Sequence, residues 1–156
     1  MTNNMRAFLD MLAWSEGTST SKFTKNSGYD VIVGGLDSPN IFTDYSDHPG
    51  VLVTVNKKGL KSTAAGRYQL LLRYWKAYKT QLNLKDFSPA SQDLVAIQQI
   101  QERRAIPMIE RGQIEQAIFA CSNIWASLPG NDYGQFAHPV ETLVEQYVRL
   151  GGSVTA

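Results

Sequence analysis

Residues 8–23 read FLDMLAWSEGTSTSKF, and this stretch decides how the first part of the chain folds. Apolar residues recur at helical spacing up to Trp14, and the pattern then stops at Glu16 and Gly17. A glycine at this point is a common helix stop. Because a helix C-terminus carries the negative end of the macrodipole, a carboxylate at Glu16 occupies an unfavourable position. Glu16 is therefore a candidate functional residue.

The spacing predicts a first helix over residues 3–15, with Asn3 or Asn4 as its cap. Residues 17–61 then carry glycines, prolines and short β-branched or aromatic runs, which are typical of hairpins and loops. The predicted strands are YDVIVGG and VLVTVN, with IFTDYS as a weaker third. Helical spacing returns after residue 61, in YQLLLRYWKAYKTQL and in a segment that starts at Ser88 before a proline.

The predicted fold class is α+β, a mostly helical body with a small antiparallel β subdomain inserted after the first helix. A length of 156 residues suits one domain with a real core. We expect the β subdomain at about 17–61, and a helical lobe formed by 62–156 together with helix 3–15.

Composition and charge exclude several classes of protein. The net charge is only +1, so the basic excess of a nucleic-acid-binding protein is missing. No apolar run approaches the roughly 18 residues that a membrane span needs. Asp10 and Glu16 fall where a signal peptide would be apolar, so we expect a protein made in the cytoplasm without stable membrane association. The single cysteine, Cys121, excludes an internal disulfide.

We expect neither a metal nor a cofactor. His48 is predicted in a turn and His138 at a helix cap, far apart and without the spacing of metal ligands. Neither G-x-G-x-x-G nor a Walker loop occurs in the sequence, and G-x-S-x-G is also missing.

The surroundings of Glu16 favour a protonated carboxyl. Its neighbours are neutral, and the nearest basic residues in the sequence are Arg6 and Lys22. Desolvation beside aromatic surface would raise the pKa of such a glutamate. A raised pKa is what a general acid for glycosidic cleavage requires. The alternative is a solvated glutamate at a helix end, the commonest situation of this residue type.

Two further segments combine aromatic and amide side chains. Residues 64–71 read AAGRYQLL, and residues 128–136 read LPGNDYGQF. The first is either an ordinary helix N-terminus beginning at Gly66 or a junction that presents polar groups to a ligand. The second is a loop. Tyrosine and glutamine together suit a sugar, because rings stack on pyranose faces and amides bond to hydroxyl and acetamido groups.

These residues resemble those of a known family. The segments AFLDMLAWSEGT, GYDVIVGG, FTDYSDHP, AGRYQLL and SNIWASLPG are similar, in order and spacing, to the bacteriophage lambda type of endolysin. The resemblance covers nearly the whole chain. It implies a lysozyme-like fold and a murein lytic transglycosylase that causes host cell lysis. Such an enzyme cuts the β-1,4 bond between N-acetylmuramic acid and N-acetylglucosamine and leaves a 1,6-anhydromuramic end.

The resemblance also implies residue roles. The catalytic glutamate of the family falls on Glu16, and its glycine–x–x–glutamine element falls on residues 66–69. The tyrosine of its third cleft segment falls on Tyr133. We expect substrate contacts from these segments and from residues beside them: Ser15, Asp30, Gly66, Tyr68, Gln69, Tyr133 and Gln135.

Two alternatives to the transglycosylase stay open. A muramidase would hydrolyse the same bond with a second carboxylate, and Asp30 is the nearest candidate. The T-even phage lysozymes have an aspartate and a threonine at the positions of Lys25 and Val31, so that hydrolytic arrangement is absent here. The other alternative is a non-catalytic glycan-binding module. The expected partners are murein glycan strands and, by resemblance, a holin that opens the route from the cytoplasm to the periplasm. We expect a monomer that binds no nucleic acid.

Overall fold

The computed structural model describes residues 1–34, 40–134 and 136–155. Within these residues there are six helices and one two-stranded antiparallel sheet: α1 (Asn3–Ser15), β1 (Val53–Thr54), β2 (Lys61–Ser62), α2 (Leu72–Gln81), α3 (Pro89–Glu102), α4 (Ile106–Glu110), α5 (Ile114–Cys121) and α6 (Val140–Arg149). In the sheet, Val53 pairs with Ser62 and Thr54 with Lys61. None of the helices in the described ranges has the length and apolar character needed to cross a membrane.

The chain divides into two compact units. The helical unit comprises Met1–Glu16 and Ala96–Ala156, and the mixed unit comprises Gly17–Val95. The mixed unit begins at the predicted start of the β subdomain but extends beyond residue 61 to include α2. The reason is that Trp75 of α2 belongs to one apolar cluster with Ile32, Phe42 and Val53, which come from the predicted strands and their neighbours.

Helix α1 is the centre of the helical unit, and it packs against α4 and α6. Its predicted bounds are confirmed, but its cap is Thr2, whose hydroxyl accepts the N–H of Met5 at 3.1 Å. The predicted cap at Asn3 or Asn4 is wrong, because the Asn4 amide donates to the carbonyl of Ile109 at 2.9 Å instead. The helix carries buried residues along its whole length, so its C-terminal end is held in a fixed position.

The described residues of the mixed unit form fewer ladder hydrogen bonds than the sequence predicts. The runs YDVIVGG and IFTDYS meet in one isolated bridge between Val31 and Ile41, and VLVTVN supplies only the two residues of β1. Residues 35–39, the first of which is the last glycine of the first run, lie outside the described ranges. Side chains order much of the remaining backbone: Thr24, for example, accepts the N–H groups of Asn26 and Gly28 through its hydroxyl. Such local bonds compete with strand pairing.

A turn precedes α2 where the sequence suggests the start of a helix. Ala65 and Leu70 exchange both backbone hydrogen bonds, at 3.1 and 2.9 Å, and close the turn between them. Gly66 and Gln69 both have left-handed backbone, with φ of +85° and +54°. The helix therefore begins only at Leu72, and a helix start at Gly66 is wrong. The turn holds Gln69 in a conformation that a helix would not allow.

We predict that Gly66→Ala destabilises the protein more than Gly59→Ala. Both glycines have nearly the same φ, +85° and +84°, so both variants lose about 1–2 kcal/mol to backbone strain. A Cβ at Gly66 would also lie 2.5 Å from Gln92 Oε1, whereas one at Gly59 meets nothing within 4 Å. Gln92 is fixed because its side chain bonds to the backbone of Arg67, at 2.8 Å, and of Phe87, at 3.0 Å.

The overlap should therefore cost Gly66→Ala about 1–3 kcal/mol more, as in other overpacked sites. Urea unfolding at 25 °C measures both variants against the parent protein. Equal losses would show that Gln92 gives way freely and that the turn is not tightly packed.

Candidate functional site

Glu16 lies at the C-terminal end of α1, where its backbone N–H donates to the carbonyl of Leu12 at 2.8 Å. Its side chain is half-buried. One carboxylate oxygen, Oε2, accepts a hydrogen bond of 2.6 Å from the hydroxyl of Ser127. No lysine, arginine or histidine of the described residues forms an ion pair with this carboxylate. The group is thus withdrawn from water, and its single partner among the described residues is a neutral hydroxyl.

Two serines form a short chain of hydrogen bonds that ends on Glu16. The hydroxyl oxygens of Ser15 and Ser127 lie 2.7 Å apart. A serine hydroxyl has one proton, and Ser127 donates its proton to the carboxylate, so Ser15 must donate to Ser127 when Glu16 is ionised. Ser15 is buried, and its carbonyl lies 3.2 Å from His138 Nε2. In this arrangement Ser15 positions the hydroxyl of Ser127.

Burial raises the pKa of the Glu16 carboxyl above its ordinary value of 4.5, and the hydrogen bond from Ser127 opposes part of the rise. The larger cause is desolvation, because removing a carboxylate from water disfavours the charged form. The position at a helix C-terminus acts in the same direction. A carboxyl of this kind keeps its proton to higher pH than a solvated glutamate, and it can serve as a general acid.

The loop around Tyr133 is ordered by its own polar groups. The Asn131 amide donates to the carbonyls of Ser122 and Leu128 at 2.9 and 2.8 Å. The hydroxyl of Tyr133 donates to the carbonyl of Asn123 at 2.6 Å, while 51% of the residue remains exposed. The ring is therefore fixed at one end and open to a ligand. Gln135, also predicted to bind substrate, lies outside the described residues.

Gln69 presents one side of its amide from the turn before α2. Its Nε2 donates to the carbonyl of Gly66 at 2.9 Å and lies 3.5 Å from that of Val31. No donor among the described residues reaches its amide oxygen. The oxygen is thus a free acceptor on a half-buried side chain, and Gly66 serves to hold it there.

Tyr68 lies in the interior of the mixed unit, with 5% of the residue exposed. Its hydroxyl donates to Asp93 at 2.7 Å and lies 3.2 Å from a guanidinium nitrogen of Arg67. Burial, followed by the Asp93 charge, raises the pKa of Tyr68 and keeps the phenol neutral. This burial leaves no ring face for a sugar, so the geometry supports a positioning role for Tyr68 and not the predicted contact.

Asp30 is also buried, with 3% exposed. One carboxylate oxygen accepts the hydroxyl of Thr24 at 2.5 Å, and the other accepts the backbone N–H of Lys25 at 2.9 Å. Both oxygens are thus engaged in shaping the loop over residues 24–30. This arrangement does not favour a role for Asp30 in binding substrate or in activating water.

Ser127 is the residue of this site that sequence reasoning missed. It lies between two apolar stretches, WA and LP, just before the loop segment that the sequence did single out. A lone serine there carries no local signal. Its relation to Glu16, 111 residues earlier in the chain, exists only in the folded protein.

We predict that Ser127→Ala raises the pKa of Glu16 further, because it removes the hydrogen bond that stabilises the carboxylate. Titration of the ¹³C-labelled carboxyl by NMR measures this pKa directly. Ser122→Ala is a matched control, since the hydroxyl of Ser122 donates to the carbonyl of Phe119. A pKa that stayed the same or fell in Ser127→Ala would contradict the assignment.

We also predict that Glu16→Gln stabilises the fold at neutral pH. The folded pKa lies above the unfolded one, so the native state loses stability as pH rises from 4.5 through the folded pKa. Glutamine avoids this loss and still accepts from Ser127. The free energy of unfolding of the variant should exceed that of the parent at pH 7, and the two should converge below about pH 4.

The control for that measurement is Glu145→Gln, which removes the same charge from an exposed carboxylate 3.4 Å from Arg149. It should not stabilise the protein, because an exposed pair of this kind contributes about 0–1 kcal/mol. Equal stabilisation by both variants would mean that net charge and not burial sets the effect.

The comparisons with known proteins agree with one another. The sequence profile of the Endolysin family matches residues 6–154. The endolysin of Escherichia phage lambda is 63% identical over 155 residues, which cover 99% of this chain and 95% of that protein. The endolysin of Escherichia phage P2 is 57% identical over 154 residues, which cover 96% of this chain and 93% of that protein.

The solved structures give the same result. A structure of bacteriophage lambda lysozyme complexed with a chitohexasaccharide matches with a TM-score of 0.94 at 63% identity, covering 99% of this chain and 98% of that one. A second structure, lysozyme from bacteriophage lambda, matches with a TM-score of 0.90 at 61% identity, covering 99% and 98%. The predicted lysozyme-like α+β fold class is thereby confirmed. The chain belongs to the endolysin family.

Proposed function

We propose that this protein is a murein-degrading phage endolysin and that it works as a lytic transglycosylase. Its reaction would break the β-1,4 bond between N-acetylmuramic acid and N-acetylglucosamine, form a 1,6-anhydromuramic end and lyse the host cell. The observation that carries the proposal is the Glu16 carboxyl, which is held by one hydroxyl and has a raised pKa. Support for a glycan substrate comes from the similar lambda lysozyme, whose structure holds a chitohexasaccharide.

The proposed reaction uses Glu16 first as an acid and then as a base. Protonated Glu16 gives its proton to the glycosidic oxygen as the bond from that oxygen to the anomeric carbon breaks. The acetamido group of the muramic acid stabilises the positive charge that develops on this carbon. The carboxylate then takes the proton of the C6 hydroxyl while the C6 oxygen bonds to the anomeric carbon. No water is consumed, and Glu16 ends in its starting state.

Ser127 decides which carboxyl oxygen transfers the proton. Its hydroxyl occupies Oε2, and no donor among the described residues reaches Oε1. We assign proton transfer to Oε1 for this reason. The hydrogen bond also stabilises the Glu16 carboxylate that is left after the first step. It thereby limits the rise in the pKa of Glu16, so that the carboxyl can give up its proton again in the next reaction cycle.

Hydrolysis by a muramidase is the alternative, and the environment of Asp30 disfavours it. A second carboxylate must reach water or the sugar. Asp30 is 3% exposed, and both of its oxygens accept bonds from its own loop. A scheme in which one carboxyl serves twice agrees better with this arrangement.

Substrate contacts are proposed at Gln69 and Tyr133. The free amide oxygen of Gln69 suits the N–H of an acetamido group, and the exposed Tyr133 ring suits a pyranose face. Ser15, Gly66 and Tyr68 would act by positioning these groups. A role for Gln135 remains a prediction. Access to murein in the periplasm is proposed to depend on a holin, with the endolysin acting as a monomer.

We predict that purified sacculi treated with the protein release fragments ending in 1,6-anhydromuramic acid. Such fragments are lighter by one water than reducing ones, so mass spectrometry distinguishes them. Glu16→Gln should lower the rate of release by about 10²–10⁴-fold, the contribution typical of a general acid–base group. Glu145→Gln, which removes an exposed carboxylate, should leave the rate unchanged.

Reducing muramic ends that carry oxygen from labelled water would replace the transglycosylase with a muramidase. Binding to sacculi without release of fragments would leave only a glycan-binding module. Release by Glu16→Gln at the parent rate would remove Glu16 from the reaction.

A further inference from the structure

Charge is distributed very unevenly between the two units. The mixed unit holds ten lysines and arginines against six aspartates and no glutamate, a balance of +4. The helical unit holds five arginines against eight acidic residues, a balance of −3, and the two balances give the net charge of +1. From His48 to Lys85 the chain carries eight lysines and arginines and no acidic residue. The small net charge therefore conceals a strongly cationic segment.

Some of these cations have internal roles. Lys79 lies 3.4 Å from Asp47, and the Arg67 side chain is buried and donates to the carbonyl of Ser27 at 2.9 Å. Lys61, Arg73 and Lys76, by contrast, are exposed, and none of them has an acidic partner among the described residues.

These three cations line one pocket of about 530 Å³. Two hydroxyl residues and three leucines complete its wall: Ser62, Thr63, Leu52, Leu71 and Leu72. None of the described residues that line it is acidic. The pocket therefore combines three positive charges with hydroxyl groups and an apolar surface.

The walls of the pocket are held in place by the fold. Lys61 comes from β2, while Arg73 and Lys76 lie three residues apart in α2 and so share one side of that helix. The hydroxyl of Thr63 accepts the N–H of Leu72 at 3.0 Å and ties the segment after β2 to the start of α2. The guanidinium of Arg73 is oriented by Tyr74, whose hydroxyl lies 3.2 Å away.

We propose that this pocket, referred to here as the cationic pocket, binds carboxylate groups of the peptide stems of murein. This inference rests on the proposed function. The stems are short peptides on the muramic acid residues, and they carry several carboxylates beside the methyl groups of alanine. An arginine fork binds a carboxylate through two hydrogen bonds, lysines add point charges, and the leucines offer contacts to methyl groups. The glycan backbone itself has no charge for these residues to bind.

The test compares murein with and without its peptides. One substrate is intact sacculi. The other is glycan strands from which an amidase has removed the stems and whose freed muramic carboxylates have been capped as methyl amides, so that they carry no charge. The pocket variant is K61Q/R73Q/K76Q, and the control is K57Q/K58Q/K85Q, which removes three exposed cations that do not line the pocket. Affinity is measured by co-sedimentation in a Glu16→Gln background at low ionic strength, where surface charges are least screened.

The pocket variant should bind intact sacculi about tenfold or more weakly, since each exposed ion pair is worth up to about fivefold. It should bind stripped strands within about twofold of the parent. The control should lose less than about threefold on either substrate. Circular dichroism melting should show that both variants stay folded.

Equal losses in the pocket and control variants would reduce the effect to diffuse charge attraction and overturn the proposal. An equal loss on stripped strands would make the pocket a sugar contact, and an unchanged affinity would remove it as a site. Failure of the proposed function would give a different result. The parent protein would then leave sacculi uncut or yield reducing ends, and this result does not depend on what the pocket variant binds.

Discussion

The hydrogen bond from Ser127 to the Glu16 carboxylate is the interaction on which the protonation state of Glu16 depends. It joins residues 111 positions apart and is only 2.6 Å long. It requires α1 to stay packed on α4 and α6, and it requires Asn131 to hold the chain around Ser127. A single neutral hydroxyl does not compensate the loss of water around a charged carboxylate, so the pKa of Glu16 stays raised. The same imbalance that lowers stability keeps the carboxyl protonated to a higher pH than a solvated glutamate.

Order in the mixed unit depends more on side chains than on strand pairing. Gln92 links the turn at Gly66 to the segment before α3, and Asp93 accepts the hydroxyls of Tyr29 and Tyr68. Buried polar groups of this kind are stable only when their bonds are made, and these are. The result is a small region with little regular sheet that still fixes Gln69 in a left-handed conformation. A fixed acceptor loses less entropy when a ligand binds than a mobile one does.

The two units differ in their charge balance. An acid with a raised pKa is disturbed by nearby cations, which would stabilise its ionised form, and the helical unit around Glu16 has an excess of negative charge. Cations are concentrated instead in the mixed unit, where Lys61, Arg73 and Lys76 have no acidic partner among the described residues. Murein has an uncharged glycan and acidic peptides, so one substrate would suit both features.

The sequence by itself determined α1, the start of α3 and the candidate acid. The bounds of α1, the Ser88–Pro89 start of α3 and the position of Glu16 before a glycine follow from local spacing and capping, which act within a few residues. It also indicated the likeness to endolysins. The sequence did not predict the length of the strands correctly. The β-branched runs favour long ladders, but side-chain hydrogen bonds within the loops replace most of them.

Only the tertiary structure decided which polar residues are exposed and which are internal. Tyr68 and Gln69 are adjacent, yet one is buried on Asp93 and the other keeps a free amide oxygen. Asp30 is of a residue type that can serve as a catalytic acid, but both of its carboxylate oxygens accept hydrogen bonds from its own loop. Ser127 has no local signal at all. The physical reason is the same for these four residues. Their burial and hydrogen-bond partners are set by residues distant in the chain or by the conformation of a loop, and the periodicity of the sequence predicts neither burial nor partners of this kind.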